Sequence, residues 1–197
     1  EESSMCGARQ LIRAKVADAG FAIIGEPTDL KPIIRHKGIM MLNLRVEGTS
    51  GHSSGPSLGN NAIEGMHRVV TELMTYRDEL EKAHRDSRFD VSVPTMNFGC
   101  IQGGDNPNRI CDHAELAFDL RNLPSMDMAD FSGALEERVS RVLEDKGFTC
   151  RLEPLFSPVP AFDNDDSMLA KQVSGFTGCE PGSVAFGTEA PFLMNLE

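Results

Sequence analysis

The chain is 197 residues long, 40% hydrophobic and 25% charged, the balance of a folded globular protein and not of a disordered tail, a collagen-like repeat or a disulfide-dense mini-protein. Thirty acidic residues against nineteen basic give a formal charge of −11, which supplies no cationic cluster for phosphates and speaks against a nucleic-acid binder. The apolar run Phe21-Ala22-Ile23-Ile24 is far short of the roughly 18 residues a membrane span needs.

Ser4 to Ala14 reads as a helix and Phe21 to Gly25 as a buried strand, before Pro27 and Pro32 mark a junction. Met40, Leu42, Leu44 and Val46 then alternate with Met41, Asn43, Arg45 and Glu47, the period of two that makes a half-buried strand. A loop rich in Gly, Ser and Asn runs from Gly48 to Asn60. Asn61 and Glu64 stand three apart like a capping box, and Ala62, Met66, Val69, Val70, Leu73 and Leu80 follow at helical spacing. Met96, Phe98 and Cys100 alternate before the Gly103-Gly104-Asp105-Asn106-Pro107 turn, and Leu116, Phe118 and Leu120 alternate after it, giving two more strands. A second helix spans about Asp127 to Lys146, with Met128, Phe131, Leu135, Val139 and Val142 on one face and Gly147 at its C′ position. Phe148, Cys150 and Leu152 make a fourth strand, and Pro154, Pro158 and Pro160 mark a second junction. Beyond it, Ser167 to Val173 reads as a helix and Ser183 to Phe186 as a short strand.

The order β-α-β-β-α-β is the ferredoxin-like arrangement, two helices on one face of a four-stranded antiparallel sheet. The flanking segments read as parts of one α/β layer that this middle unit interrupts. Five cysteines, Cys6, Cys100, Cys111, Cys150 and Cys179, are an odd number with no CxxC pair, which predicts reduced thiols and a cytoplasmic location. The chain begins Glu1-Glu2 and ends Leu196-Glu197 without a closing cap, and is expected to be a piece of a longer protein.

Few residues stand out for chemistry. Neighbouring side chains leave the backbone in different directions, so of Glu1 and Glu2 one carboxylate could ligate a metal while the other faces substrate; the plain alternative is a solvated helix start. Glu26 follows an apolar strand, where α/β sheets place ligands, or is a turn acid. His52 sits in the small-residue loop Gly48-Thr49-Ser50-Gly51-His52-Ser53-Ser54-Gly55, as a close-approach group or an exposed bystander. Asn108 lies in the loop between two strands. Arg121 is on the strand face opposite Leu116, Phe118 and Leu120, able to clamp a carboxylate or pair near Asp119. His36, His67, His84 and His113 read as surface or capping residues.

Taken together, Glu1-Glu2-Ser3-Ser4-Met5-Cys6-Gly7-Ala8-Arg9, Ile23-Ile24-Gly25-Glu26-Pro27-Thr28, His36-Lys37-Gly38, Ser50-Gly51-His52-Ser53-Ser54, Gly103-Gly104-Asp105, Asn108-Arg109-Ile110-Cys111 and Gly187-Thr188-Glu189-Ala190-Pro191-Phe192 closely resemble, in this order, the dinuclear zinc aminoacylase, desuccinylase and carboxypeptidase family. The resemblance implies a partial zinc-exopeptidase-like α/β catalytic domain, residues 1–34 and 156–197, interrupted by a ferredoxin-like lid and dimerisation domain, residues 35–155. By motif, Glu1 resembles the general base, Glu2 and Glu26 the zinc ligands, and His52 the lid histidine that stabilises an oxyanion in the partner subunit's site. Asn108 and Arg121 resemble substrate-positioning residues, and Gly187 and Thr188 a substrate-contacting loop. The charge of Glu189 further suggests attraction of a distal substrate ammonium.

The implied reaction is amide hydrolysis of an N-acylated amino acid by water activated on two zinc ions, with cobalt as a substitute. N2-acetyl-L-ornithine is the expected substrate and a homodimer the expected assembly, with no nucleic acid or membrane partner. Succinyl-diaminopimelate hydrolysis and a non-catalytic dimerisation module are the alternatives. The family's His-x-Asp segment, bridging Asp and late His have no counterpart in this sequence. Zinc on Glu2 and Glu26 alone falls short of three or four protein ligands, so the chain by itself is expected to be a weak metal binder without activity.

Overall fold

The computed structural model describes residues 5–15 and 19–194. In chain order these form α1 (Cys6–Ala14), β1 (Ile33–His36), β2 (Met40–Glu47), β3 (Gly51–His52), α2 (Ala62–Ala83), β4 (Thr95–Gly103), β5 (Arg109–Ile110), β6 (His113–Arg121), α3 (Met128–Leu143), β7 (Thr149–Pro154), β8 (Phe162–Asp163), α4 (Met168–Thr177), β9 (Gly182–Val184) and α5 (Ala190–Leu193). None of the helices among the described residues is long and apolar enough to cross a membrane.

The middle of the chain folds as its periodicity predicts. Burial alternates residue by residue along β2, so Leu42, Leu44 and Val46 enter the core while Asn43, Arg45 and Glu47 line the other face. The sheet order is β4-β6-β2-β7 with every neighbouring pair antiparallel, the ferredoxin-like order. Both long helices cover the same face: Met66, Val69 and Leu73 of α2 and Phe131, Leu135 and Val139 of α3 pack with Leu44, Leu116 and Phe118 in one cluster. Full burial of each such side chain contributes about 1.5–3 kcal/mol, which is why this layer holds without a second sheet over it. Arg138 of α3 binds Glu72 at 2.8 Å and Glu79 on α2 and lies over the Tyr76 ring, tying the two helices on their outer side.

Several local details differ from the expectation. The Asn61 side chain accepts from the Ile63 N–H at 3.0 Å rather than from residue 64, so it is a simple N-cap and not a full capping box. Asp127 caps α3 by accepting from Ala129 and Asp130, but the helix ends at Leu143, a turn earlier than expected. Gly147 still takes the left-handed conformation, φ +73°. In β4 the register against β6 shifts between Phe98 and Cys100, a bulge at Gly99, and Cys100 is exposed instead of continuing the inward alternation.

The flanking segments build a second, smaller sheet in the order β8-β1-β9, with β8 antiparallel and β9 parallel to the central strand. Ser167, expected as the first residue of a helix ending at Val173, is instead the N-cap of α4, which runs on to Thr177. Phe21 to Gly25 forms no strand: Phe21 and Ile23 are 68% and 77% exposed, because β8 and β9 take both edges of β1 and the segment has no ladder among the described residues. The central strand β1 was hidden in the sequence by its four-residue length between Pro32 and Gly38. A further two-stranded ribbon, β3 with β5, pairs His52 with Arg109.

The two sheets meet at residues 36–39. Ile39 bridges Val159 on one side, and the Gly38 N–H donates to the Asn122 carbonyl at 3.0 Å. A Cβ on Gly38 would stand 2.1 Å from the Asn122 side-chain oxygen, so only glycine lets the chain pass from β1 into β2 beside the end of β6.

Candidate functional site

Residues 22–34 and the segments after β7 enclose a pocket of about 310 Å³. Its walls are mostly aliphatic and aromatic, with Glu26, Thr28, His36 and Thr188 among the polar groups. Glu26 is placed by a tight turn, its N–H bonded to the Ile24 carbonyl at 3.2 Å and its carbonyl accepting from Thr28 at 2.9 Å, and it is exposed. Thr188 is buried; its hydroxyl accepts from the Ala190 N–H at 3.2 Å and so starts α5. Glu189, beside it, occupies the N-cap position of that short helix without capping it. Gly187 packs where a Cβ would be 2.7 Å from the Ile39 side chain.

His36, expected as a surface or capping residue, is instead 1% exposed. Its ring stacks on Phe162 with centroids 5.6 Å apart. Nδ1 lies 2.8 Å from the Lys37 carbonyl oxygen, and Nε2 accepts the Thr188 N–H at 3.3 Å. Since a carbonyl only accepts and a backbone N–H only donates, the neutral ring carries its proton on Nδ1. Burial holds its pKa below the ordinary histidine value, opposed by the bond to the Lys37 carbonyl. The signal that could have found it is the apolar setting, Ile33-Ile34 before and Ile39-Met40 after, which is poor company for a surface histidine. Lys37 is equally buried, its Nζ donating to the Val93 carbonyl at 2.6 Å; burial and then the charge of Arg121 lower its pKa.

A second group forms on the β3–β5 ribbon and the end of β6. The Ser53 N–H donates to the Asn108 carbonyl at 3.0 Å, which places His52 and Asn108 side by side. His52 is exposed, with Nδ1 accepting the Ser54 N–H at 3.2 Å and lying 2.7 Å from the Ser54 hydroxyl. Nδ1 is thus committed as an acceptor, and in the neutral ring the proton is on Nε2, which has no partner among the described residues. Arg121 is held through Nε, 2.8 Å from Asp119 Oδ2, and its two terminal nitrogens make no hydrogen bond among the described residues. Asp119 Oδ1 is buried and has no hydrogen-bond partner among the described residues.

The structure therefore brings Glu26 and Thr188 to one pocket, with Gly187 and Glu189 on the adjoining turn, and joins His52 to Asn108 on one ribbon. None of His52, Asn108 and Arg121 lines that pocket. Glu1 and Glu2 lie outside the described residues. Among the described residues, no three His, Cys, Asp or Glu side chains are grouped to hold a metal ion, and Glu26 is the one carboxylate on the pocket wall.

Residues 34–146 match the family described as Peptidase dimerisation domain. The whole chain is 43% identical over 197 residues to the acetylornithine deacetylase of Pasteurella multocida, covering 52% of that protein, and 41% identical to that of Klebsiella pneumoniae, covering 51%. Among solved structures, an aminopeptidase PepT from Bacillus cereus superposes with a TM-score of 0.70 at 20% identity, over 98% of this chain and 51% of its own. A tripeptidase from Staphylococcus aureus gives 0.71 at 19% identity, over 98% of this chain and 50% of its own. The chain spans about half the length of the curated relatives it matches.

Proposed function

The chain belongs to the peptidase dimerisation domain family, and on that footing we propose that it serves a metal-dependent hydrolysis of N2-acetyl-L-ornithine to L-ornithine and acetate, a step of arginine biosynthesis, in a homodimer whose subunits have the relatives' length. The proposed division is a catalytic layer of residues 1–34 and 156–197 around a lid of residues 35–155. The observation that carries the reading is His52: a ring whose Nδ1 is occupied, whose Nε2 has no partner among the described residues, and which is absent from the wall of the pocket that holds Glu26 and Thr188. Such a donor suits the oxyanion of a tetrahedral intermediate in another subunit's site.

The described residues do not by themselves fit a zinc pair. One pocket carboxylate cannot close a site that needs three or four protein ligands, and Glu2 as a second would still leave it open. Zinc, or cobalt in its place, is assigned to the assembly whose subunits have the relatives' length. This chain's own contributions are Glu26 and Glu2 as ligands, Glu1 as the proton acceptor, Arg121 with Asn108 as a clamp for the substrate carboxylate, and Gly187, Thr188 and Glu189 as a substrate loop. Arg121 suits its role because Asp119 fixes Nε and leaves the guanidinium fork open.

A second reading, a dimerisation module without catalysis, is favoured by the same lack of a metal cluster among the described residues. The test is an assay with added zinc or cobalt against N2-acetyl-L-ornithine and succinyl-diaminopimelate, run on this chain and on an enzyme of the relatives' length containing it. The expected result is hydrolysis by the longer enzyme alone, with preference for acetylornithine. A metal-replete longer enzyme without activity leaves the module reading; preference for the succinyl substrate transfers the reading to a desuccinylase.

A further inference from the structure

Residues 36–39 form the seat of the Gly187–Thr188 loop. Lys37 donates its N–H to the Val184 carbonyl at 3.4 Å, Ile39 fills the space under Gly187, and His36 Nε2 receives the Thr188 N–H. Thr188 is 7% exposed, so water does not readily replace that acceptor, and the Thr188 hydroxyl is already engaged with Ala190. An aromatic ring without nitrogen would fill the same volume against Phe162 yet leave the Thr188 N–H orphaned. The polar atoms of His36, and not only its bulk, are what the loop uses.

We propose that His36, neutral and carrying its proton on Nδ1, is a positioning residue that fixes the backbone of Thr188 and through it the Gly187–Glu189 substrate loop. The Lys37 carbonyl selects the tautomer, and the tautomer gives Nε2 the lone pair that Thr188 requires. The same four residues carry the chain into β2 beside Asn122, adjacent to Arg121. One short segment thus sets both the loop of the pocket and the strand end that bears the proposed carboxylate clamp. The consequence for catalysis rests on the reading above that this loop contacts substrate.

The test begins with the 15N-labelled 197-residue chain. Long-range proton–nitrogen correlation of His36 is expected to show a protonated Nδ1 and a bare Nε2; a proton on Nε2 overturns the proposal. Amide exchange at Thr188 is then compared in wild type, His36→Leu and His36→Gln. Exchange about tenfold faster in the leucine variant, returning toward wild type in the glutamine variant whose Oε1 can accept, is the expected pattern. Equal exchange in wild type and His36→Leu overturns it. In the active longer enzyme, His36→Leu is expected to raise KM for N2-acetyl-L-ornithine about tenfold, with partial rescue by His36→Gln, and an unchanged KM removes the positioning role. A longer enzyme that hydrolyses nothing refutes the deacylation reading alone, because the tautomer and exchange results decide the hold of His36 on the loop without any substrate.

Discussion

His52→Ala is expected to lower kcat for N2-acetyl-L-ornithine by about 10²–10³-fold in the active enzyme, the loss produced by removing one donor from an oxyanion hole. The expectation follows from the tautomer. Two Ser54 groups surround Nδ1, the backbone N–H at 3.2 Å and the hydroxyl at 2.7 Å, so the ring cannot turn its proton inward without breaking the first of them. Nε2–H is therefore ready to donate before substrate arrives, and such a preorganised donor acts on the transition state more than on the ground state. KM is expected to stay within about threefold, since the ground-state amide carbonyl gains little from this donor. Steady-state kinetics on His52→Ala, with metal content measured alongside, checks it. A loss confined to KM, or unchanged kcat, contradicts the assignment.

The second large effect concerns the sheet edge. β4 is nine residues long, Thr-Met-Asn-Phe-Gly-Cys-Ile-Gln-Gly, with no charge and no proline, and Ile101 near its end is 63% exposed. The opposite edge, β7, is shorter, carries Arg151 and Glu153, and ends at Pro154, the features by which sheets blunt an edge. β4, blunted only by its bulge at Gly99, is the edge where a second copy is expected to add, and a two-fold axis there would join two four-stranded sheets into one. Ile101→Lys places two like charges near that axis. It is expected to weaken the dimer by about 100-fold, roughly 2.7 kcal/mol, and to convert a sedimenting dimer into a monomer. A wild-type chain that stays monomeric at high concentration, or a lysine variant that stays dimeric, contradicts the β4 edge as the interface.

The middle unit was legible because its elements are long and its patterns strong. Leu42, Leu44 and Val46 repeat at two and Met66, Val69 and Leu73 at helical spacing, and those periods encode a buried face whatever the partners are. Cys100 breaks the pattern because the chain bulges at Gly99, and that glycine within the alternating run is the one sign of the change of register. β1, β3 and β5 run two to four residues and carry no period to read. Phe21 to Gly25 failed in the opposite way: an apolar run marks a strand only when neighbouring strands complete its ladder. The candidate site divides along the same line. Glu26, His52, Asn108 and Arg121 stand out in the sequence as candidates for chemistry, whereas the one local signal for His36 is its apolar setting between Ile33-Ile34 and Ile39-Met40, and its partner Thr188 lies 152 residues away.

The proposed deacylation requires a site completed across the dimer by His52. The decisive experiment mixes two inactive variants of the active enzyme, His52→Ala and Glu1→Gln, in equal amounts with subunit exchange verified by tags. If His52 works in the partner's site, each hybrid dimer holds one site with both residues intact. Half of the dimers are then hybrids with one working site of two, and about a quarter of wild-type activity returns. If His52 works in its own subunit, every site lacks one residue or the other. Activity that stays at the level of the separate variants after verified exchange would contradict a site shared between subunits.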